Sequence, residues 1–173
     1  MPIFISYTTP DEELAKTVAG RFKYTHNIPC DTGDICRELD YNRGKCCLTP
    51  LLVEKLNRCD TFITIVTKNT KIAWWLPFKI GAAREMPRII ATFTRLPDPP
   101  DYGQQEALPE YLLEWPRLRS NNDIEVFVTE YKNRIKLIEN IIRGSNPSEK
   151  EAMAGNIRRF ESTVMKLLRQ KNY

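Results

Sequence analysis

The chain has 173 residues, of which 42% are hydrophobic and 28% are charged, and its formal net charge is +4. This length suits one domain with a helical extension, and this balance is typical of a globular protein with a buried core. The positive excess is too small to favour nucleic-acid binding. No apolar run approaches the roughly 20 residues of a membrane span, so we expect neither a nucleic acid nor a membrane as partner.

The cysteines indicate a reducing environment and no metal site. They form no C-x-x-C pair, their number is odd, and His26 is the single histidine, whereas a zinc site needs such pairs or several histidines. The N-terminal stretch "MPIFISYTTPDEE" has neither a basic region nor a small-residue cleavage site, so it predicts a strand and not a signal peptide. We therefore expect a cytoplasmic protein with free thiols. The five cysteines are Cys30, Cys36, Cys46, Cys47 and Cys59.

The first elements are a strand and a helix. "PIFISY", residues 2–7, is a short β-branched and aromatic run that predicts a buried strand. Thr9 is followed by Pro10 and by Glu12 at the spacing of a capping box, so Thr9 is predicted to cap the next helix. That helix would extend through residue 25 and bury the face on which Leu14, Val18 and Phe22 lie.

Strand and helix patterns then alternate along the chain. Residues 95–122 contain five prolines, which predict a loop with at most a short helix. The other predicted elements are an extended piece at 27–31, a loop at 33–50, a helix within 48–60, a strand at 61–69, a helix near 73–83, a strand at 87–94, and two long helices, 123–144 and 147–170.

This alternation predicts an α/β protein with a parallel central sheet flanked by helices. In such folds, binding sites gather at the carboxyl ends of the strands, near a switch in strand order. Those ends are predicted at Tyr7–Thr9, Cys30–Asp34, Thr67–Thr70 and from Thr94 onward. The functional site is therefore expected there.

Four stretches resemble one known family. They are "IFISYTTPDEELA", "IPCDTGDI" followed by "RGK", "LLVEKLNRCDTFITIVTKNT" and "WWLPFKIGAA". In order and spacing they are similar to the Toll/interleukin-1 receptor (TIR) domain, of the stand-alone sort found in bacterial antiviral systems. The resemblance covers about residues 3–130 and implies a flavodoxin-like fold. We expect a TIR domain over residues 1–144 and a C-terminal helical extension over 145–173, packed on that domain or on a partner.

The resemblance also implies an activity. Many TIR domains cleave the nicotinamide–ribose bond of NAD and release ADP-ribose or a cyclic isomer that acts as a signal, whereas others only bind partner TIR domains. NAD is thus the expected substrate, with no permanently bound cofactor. The expected partners are other TIR domains in a homo-oligomer, or a partner defence protein.

The enzymatic members carry a glutamate four residues after a tryptophan, as W-x-x-x-E. Four residues after Trp75 this chain has Lys79. Bond cleavage makes the ribose positive, and a carboxylate stabilises that charge whereas an ammonium repels it. This form is therefore predicted to be inactive. Glu85 lies six residues further on, away from that helix face, and Asp31 and Asp34 are the other acids that could approach the site.

Three interpretations of Lys79 remain open at this point. It is an inactivating substitution in a toxic enzyme, the natural residue of a TIR domain that binds without cleaving, or a helix-edge lysine outside the motif. The first makes the chain a disabled NAD-cleaving or NAD-cyclising protein of antiviral immunity. The second makes it an adaptor that acts through protein–protein or nucleotide binding. A nucleoside-processing enzyme, such as a deoxyribosyltransferase, is a further alternative that also needs a carboxylate.

The resemblance suggests further residues for the nucleotide. The end of the first strand would contact it, the two tryptophans would stack on its base, and the charged residues flanking Gly44 would meet its pyrophosphate. Core packing is the alternative for the strand and tryptophan residues. Solvated surface charge or a contact between TIR domains is the alternative for the loop residues. These candidates are Ser6, Tyr7, Asp31, Arg43, Lys45, Trp74 and Trp75.

Overall fold

A computed structural model describes residues 2–34, 48–70, 75–85, 88–96, 108–142 and 147–171, without the side chains of 48–49, 135–142, 147–150 and 171. The described strands form one parallel sheet in the order β2-β1-β3-β4-β5, which is the flavodoxin-like order. The predicted α/β fold class is thereby confirmed. The strands are β1 (Ile3–Ser6), β2 (Cys30–Gly33), β3 (Thr61–Val66), β4 (Ile89–Thr94) and β5 (Arg117–Leu118).

Helices lie between and after these strands. A 3-10 turn over Thr9–Asp11 precedes the first helix, and a π-helical turn over Arg21–Thr25 continues it; another 3-10 turn spans Glu110–Leu112. The α-helices among the described residues are α1 (Glu12–Gly20), α2 (Leu48–Asn57), α3 (Trp75–Arg84), α4 (Asn121–Ile142) and α5 (Pro147–Lys171). None of them is long and apolar enough to cross a membrane.

The sheet is buried on both faces. Every residue of β1, β3 and β4 is buried, as expected for parallel strands covered by helices on each side. Because successive side chains point to opposite faces, the strands divide their residues between two cores. One core contains Ile3, Ile5, Ile63, Phe22, Phe127 and Phe160; the other contains Phe4, Phe62, Ile90, Leu52, Leu56 and Ile80.

Helix α5 shares the first of these cores. Its buried residues recur at helical spacing and pack with α4 and with the sheet. The rings of Phe160 in α5 and Phe127 in α4 meet edge to face, with centroids 5.3 Å apart. The apolar stripe consists of Met153, Ile157, Phe160, Val164 and Leu168.

Two local predictions were wrong. Thr9 does not cap α1; its hydroxyl donates to Asp34 Oδ2 at 2.6 Å, and Asp11 occupies the residue before the helix. The proline-rich segment contains β5, which was predicted as loop. Both differences have the same cause, because a partner distant in sequence overrides the local pattern. Thr9 bonds to a residue 25 positions away, and β5 pairs with strand β4.

The carboxylate of Glu161 closes the outer edge of β4. β5 pairs with β4 only at Thr92 and Phe93, so the amide of Ile90 lies beyond it. Glu161 in α5 accepts that amide's hydrogen at 3.0 Å. Burial raises the pKa of this carboxyl from 4.5 to about 7, while the Ile90 hydrogen bond and the positive charges of Arg158 and Arg84 oppose the rise.

Glu161→Gln should stabilise the protein at pH 8 by about 1–3 kcal/mol and change little at pH 5. The folded state retains the proton of Glu161 at a pH where the unfolded state has lost it. The stability contributed by this group is therefore complete below about pH 4.5 and is lost as the pH rises through about 7. The glutamine oxygen still accepts the Ile90 amide but carries no charge.

Urea unfolding at both pH values measures this difference. Glu151→Gln, an exposed change on the same helix, is the matched control and should alter stability little at either pH. An equal effect of Glu161→Gln at pH 5 and pH 8 would contradict the expected charge dependence.

Candidate functional site

The carboxyl edge of the sheet brings Ser6 and Lys79 together. Ser6 is the last residue of β1, and Lys79 lies on the inner face of α3, between Leu76 and Ala83 of the second core. The Lys79 ammonium donates to Ser6 Oγ at 3.3 Å, and the two residues are only 4% and 1% exposed. In the part of the chain that the structure describes, no carboxylate pairs with this ammonium. The site therefore holds a buried positive charge beside a hydroxyl.

A buried carboxylate organises the neighbouring turns. Asp11 is 5% exposed and follows β1, while three of its four side-chain partners follow β3 in the turn of residues 67–70. The Thr67 hydroxyl lies 2.9 and 2.8 Å from its two oxygens, and the Asn69 amide nitrogen lies 2.9 Å from Oδ1. The Thr8 and Thr70 hydroxyls approach Oδ2 at 2.9 and 3.3 Å. Asp11 thus joins the two loops that border the Ser6–Lys79 pair.

The two acids of β2 and its end take different positions. Asp31 pairs with Phe4 in the sheet, two residues before the edge that Ser6 occupies, and its carboxylate meets Lys55 of α2 at 3.4 Å. Asp34 is buried directly after the strand and accepts the Thr9 hydroxyl. Asp34 is therefore the acid of this strand that lies at the carboxyl edge.

The structure describes some of the remaining predicted site residues and not others. Trp75 is half-buried at the start of α3, and its ring meets that of Phe78 edge to face at 5.5 Å. Phe78 is 40% exposed, so its ring reaches solvent. Tyr7 packs partly against the first core. Arg43, Lys45 and Trp74 lie outside the described residues.

The described thiols are not suited to nucleophilic catalysis. Burial raises the pKa of Cys30 to about 12 and also raises that of Cys59, although the positive charge of Arg88 opposes the second shift. A thiol that stays protonated is a poor nucleophile. Among the described residues, no group of three or more histidine, cysteine or acidic side chains could hold a metal ion.

Sequence reasoning missed the Asp11 cluster. The sequence predicts that Thr67–Thr70 follow a strand at the edge where a site is expected, but it gives no indication that Asp11 pairs with them. The sequence nevertheless contains an indication of this cluster, since polar residues follow two strands that are neighbours in the parallel sheet. Such side chains converge at one edge, and a buried acid there finds its donors across the chain.

Compared with known proteins, the sequence matches no protein-family model and no curated protein. Among solved structures, the crystal structure of the flavodoxin-like domain of a Synechococcus sp. protein aligns with 97% of this chain and 99% of its own. The sequence identity is 11% and the TM-score is 0.43. The strand order of the sheet, and not this likeness, identifies the fold.

Proposed function

We propose that the chain is a TIR-type domain of the NAD-cleaving class that binds NAD or a derived nucleotide at the carboxyl edge of its sheet, and that Lys79 disables cleavage. The supporting observation is the buried contact between Lys79 and Ser6. The W-x-x-x-E motif implies that a catalytic glutamate would occupy position 79, close to the end of β1. In this chain an ammonium lies beside the hydroxyl that ends β1.

The charge of Lys79 explains how binding and cleavage separate. A buried ammonium attracts the pyrophosphate of a dinucleotide, and hydrogen bonds between charged groups are about twice as strong as neutral ones. The same ammonium repels the positive charge that develops on the ribose during cleavage. The site would therefore hold the nucleotide in its ground state without stabilising the transition state.

The proposal extends to a biological setting. The resemblance suggests a cytoplasmic protein of bacterial antiviral defence that assembles with other TIR domains or with a partner defence protein. A non-catalytic adaptor that acts through protein–protein or nucleotide binding is the alternative. NAD binding distinguishes the proposal from an adaptor that uses only protein contacts, because such an adaptor has no need of a cation buried beside Ser6. Activity of Lys79→Glu distinguishes it from an adaptor that binds nucleotide, since that adaptor should stay inactive when the carboxylate is supplied.

The present chain should bind NAD saturably and release no nicotinamide. We would titrate NAD into the full chain at dilute and high protein concentration, and separate the products by chromatography. Lys79→Gln should weaken binding by about 10- to 100-fold, because a charge-assisted hydrogen bond contributes about 1.5–3 kcal/mol. Lys68→Gln removes an exposed lysine after β3 and should leave the affinity unchanged.

Three results would count against the proposal. Release of nicotinamide by the present chain would contradict the charge argument. Equal affinities of the chain and of Lys79→Gln would place the nucleotide away from Lys79. No NAD binding at either protein concentration would favour the adaptor.

A further inference from the structure

A polar cavity of about 340 Å³ lies at the other end of the sheet. Its wall includes Ile90 near the start of β4, whereas Ser6 and Lys79 lie where strands end. The end of α3, the segment before β5 and one face of α5 complete the cavity. This volume is within the range of small-ligand sites. Its polar and aromatic lining consists of Arg84, Arg88, Glu114, Trp115, Arg158 and Glu161.

Positive charge prevails in this cavity. Three guanidinium groups face two carboxylates, which leaves a net charge of +1, or +2 when Glu161 is protonated. Arg84 and Glu114 form an exposed ion pair at 3.4 Å across the rim. Arg158 is exposed on α5, one turn before Glu161. Guanidinium groups from two helices, α3 and α5, can therefore contact a ligand at the rim.

The floor of the cavity is tied to the fold. Arg88 is buried, and its Nη1 donates to the backbone carbonyl oxygens of Leu56 and Cys59. Glu161 accepts the Ile90 amide with Oε1. Arg84 and Arg158 are thus the cations that can turn toward a ligand, and Glu161 is the acid that such a ligand would meet.

We propose that this cavity binds a phosphate-type dianion and that Glu161 takes up a proton when the ligand enters. A dianion matches the +2 charge that the lining carries when Glu161 is neutral. The groups that face Glu161 from the surrounding elements are Arg158 on its own helix, Arg84 on α3, Arg88 before β4 and Glu114 before β5. A dianion held by Arg84 and Arg158 would repel an ionised Glu161, so binding and protonation favour each other.

This coupling sets a pH dependence. Burial raises the pKa of Glu161 to about 7, so the carboxyl is mostly protonated at pH 6 and mostly ionised at pH 8. If only the protonated form binds the dianion, the affinity falls by about tenfold between these two pH values. The proposal is independent of Lys79 and of NAD.

Sulfate is the probe, because it stays a dianion from pH 6 to pH 8. We would titrate it into the full chain by calorimetry at constant ionic strength, with chloride as the reference anion. Arg158→Gln should weaken sulfate binding by about tenfold or more. Arg159→Gln removes another exposed arginine of α5 that does not line the cavity, and it should have no effect.

Glu161→Gln tests the coupled proton. This variant should bind sulfate equally at pH 6 and pH 8, with the affinity that the present chain has at pH 6. Absence of saturable sulfate binding above the chloride reference at pH 6 would overturn the site. Equal losses in Arg158→Gln and Arg159→Gln would reduce it to nonspecific attraction, and equal affinity of the present chain at both pH values would overturn the proton coupling.

Discussion

Lys79→Glu should turn the chain into an enzyme that releases nicotinamide from NAD, with a rate at least about 10⁴-fold above that of the present chain. A unit charge about 5 Å from the ribose contributes roughly 3 kcal/mol at an effective dielectric constant near 20. Exchanging repulsion for attraction therefore lowers the barrier by about 6 kcal/mol, which corresponds to this factor. Ser6 lies within hydrogen-bond reach of the residue at position 79.

The measurement is NAD loss with chromatographic separation of nicotinamide, ADP-ribose and cyclic products. Lys79→Gln is the matched control, because it removes the ammonium without supplying a carboxylate and should stay inactive. Both variants are first compared with the present chain by thermal unfolding, since position 79 is buried. A folded Lys79→Glu protein that binds NAD and leaves it intact, at high concentration as well as dilute, would contradict the proposed catalytic position.

Asp11→Ala should lower the free energy of unfolding by about 3–4 kcal/mol. The carboxylate accepts hydrogen bonds from the side chains of four residues, three of them threonines, in the loops after β1 and β3. Alanine leaves these donors without this acceptor, and a fully buried donor so affected costs about 1–3 kcal/mol. Of the four donors Thr70 alone is buried, and its hydroxyl also lies 3.3 Å from the Ile65 carbonyl oxygen. Thr8 and Thr67 are half-buried and Asn69 is exposed, so access of water keeps the sum below the simple total.

Urea unfolding of two further variants makes this result specific. Asp11→Asn keeps the shape of the side chain and one acceptor oxygen, so it should lower the free energy of unfolding less than Asp11→Ala does. Asp31→Ala removes a more exposed carboxylate whose ion pair with Lys55 spans 3.4 Å, and it should cost less than about 1 kcal/mol. Equal losses for Asp11→Ala and Asp31→Ala would show that the buried network does not stabilise the fold.

The elements with strong local patterns could be predicted from the sequence. The strands β1, β3 and β4 are runs of β-branched and aromatic residues, and α2 and the C-terminal helices have clear apolar periodicity. β5 could not be predicted in this way, because a strand of two residues between a proline and a helix is too short to show an alternating apolar pattern. Its pairing with Thr92 and Phe93 depends on the assembled sheet.

The candidate site was predictable only where a motif existed. The resemblance pointed to Ser6 and Lys79, although 73 residues separate them, and the structure places their side chains in contact. Asp11 has no such motif, and its partners in the second loop are 56 to 59 residues away. Helix-start signals around residues 9–12 offered a sufficient local explanation, so the long-range role of this acid was not recognised.

The short length of β5 has a consequence for how copies of the chain can meet. An outer strand with unpaired backbone groups is a template on which another chain can add a strand, and this pairing starts aggregation. The amino half of β4 would be such a template, because β5 does not reach Ile90. Glu161 of α5 accepts the hydrogen bond of that amide, and α5 packs against β4 with this carboxylate directed inward. Helix α5 therefore protects this edge of the sheet against edge-to-edge association.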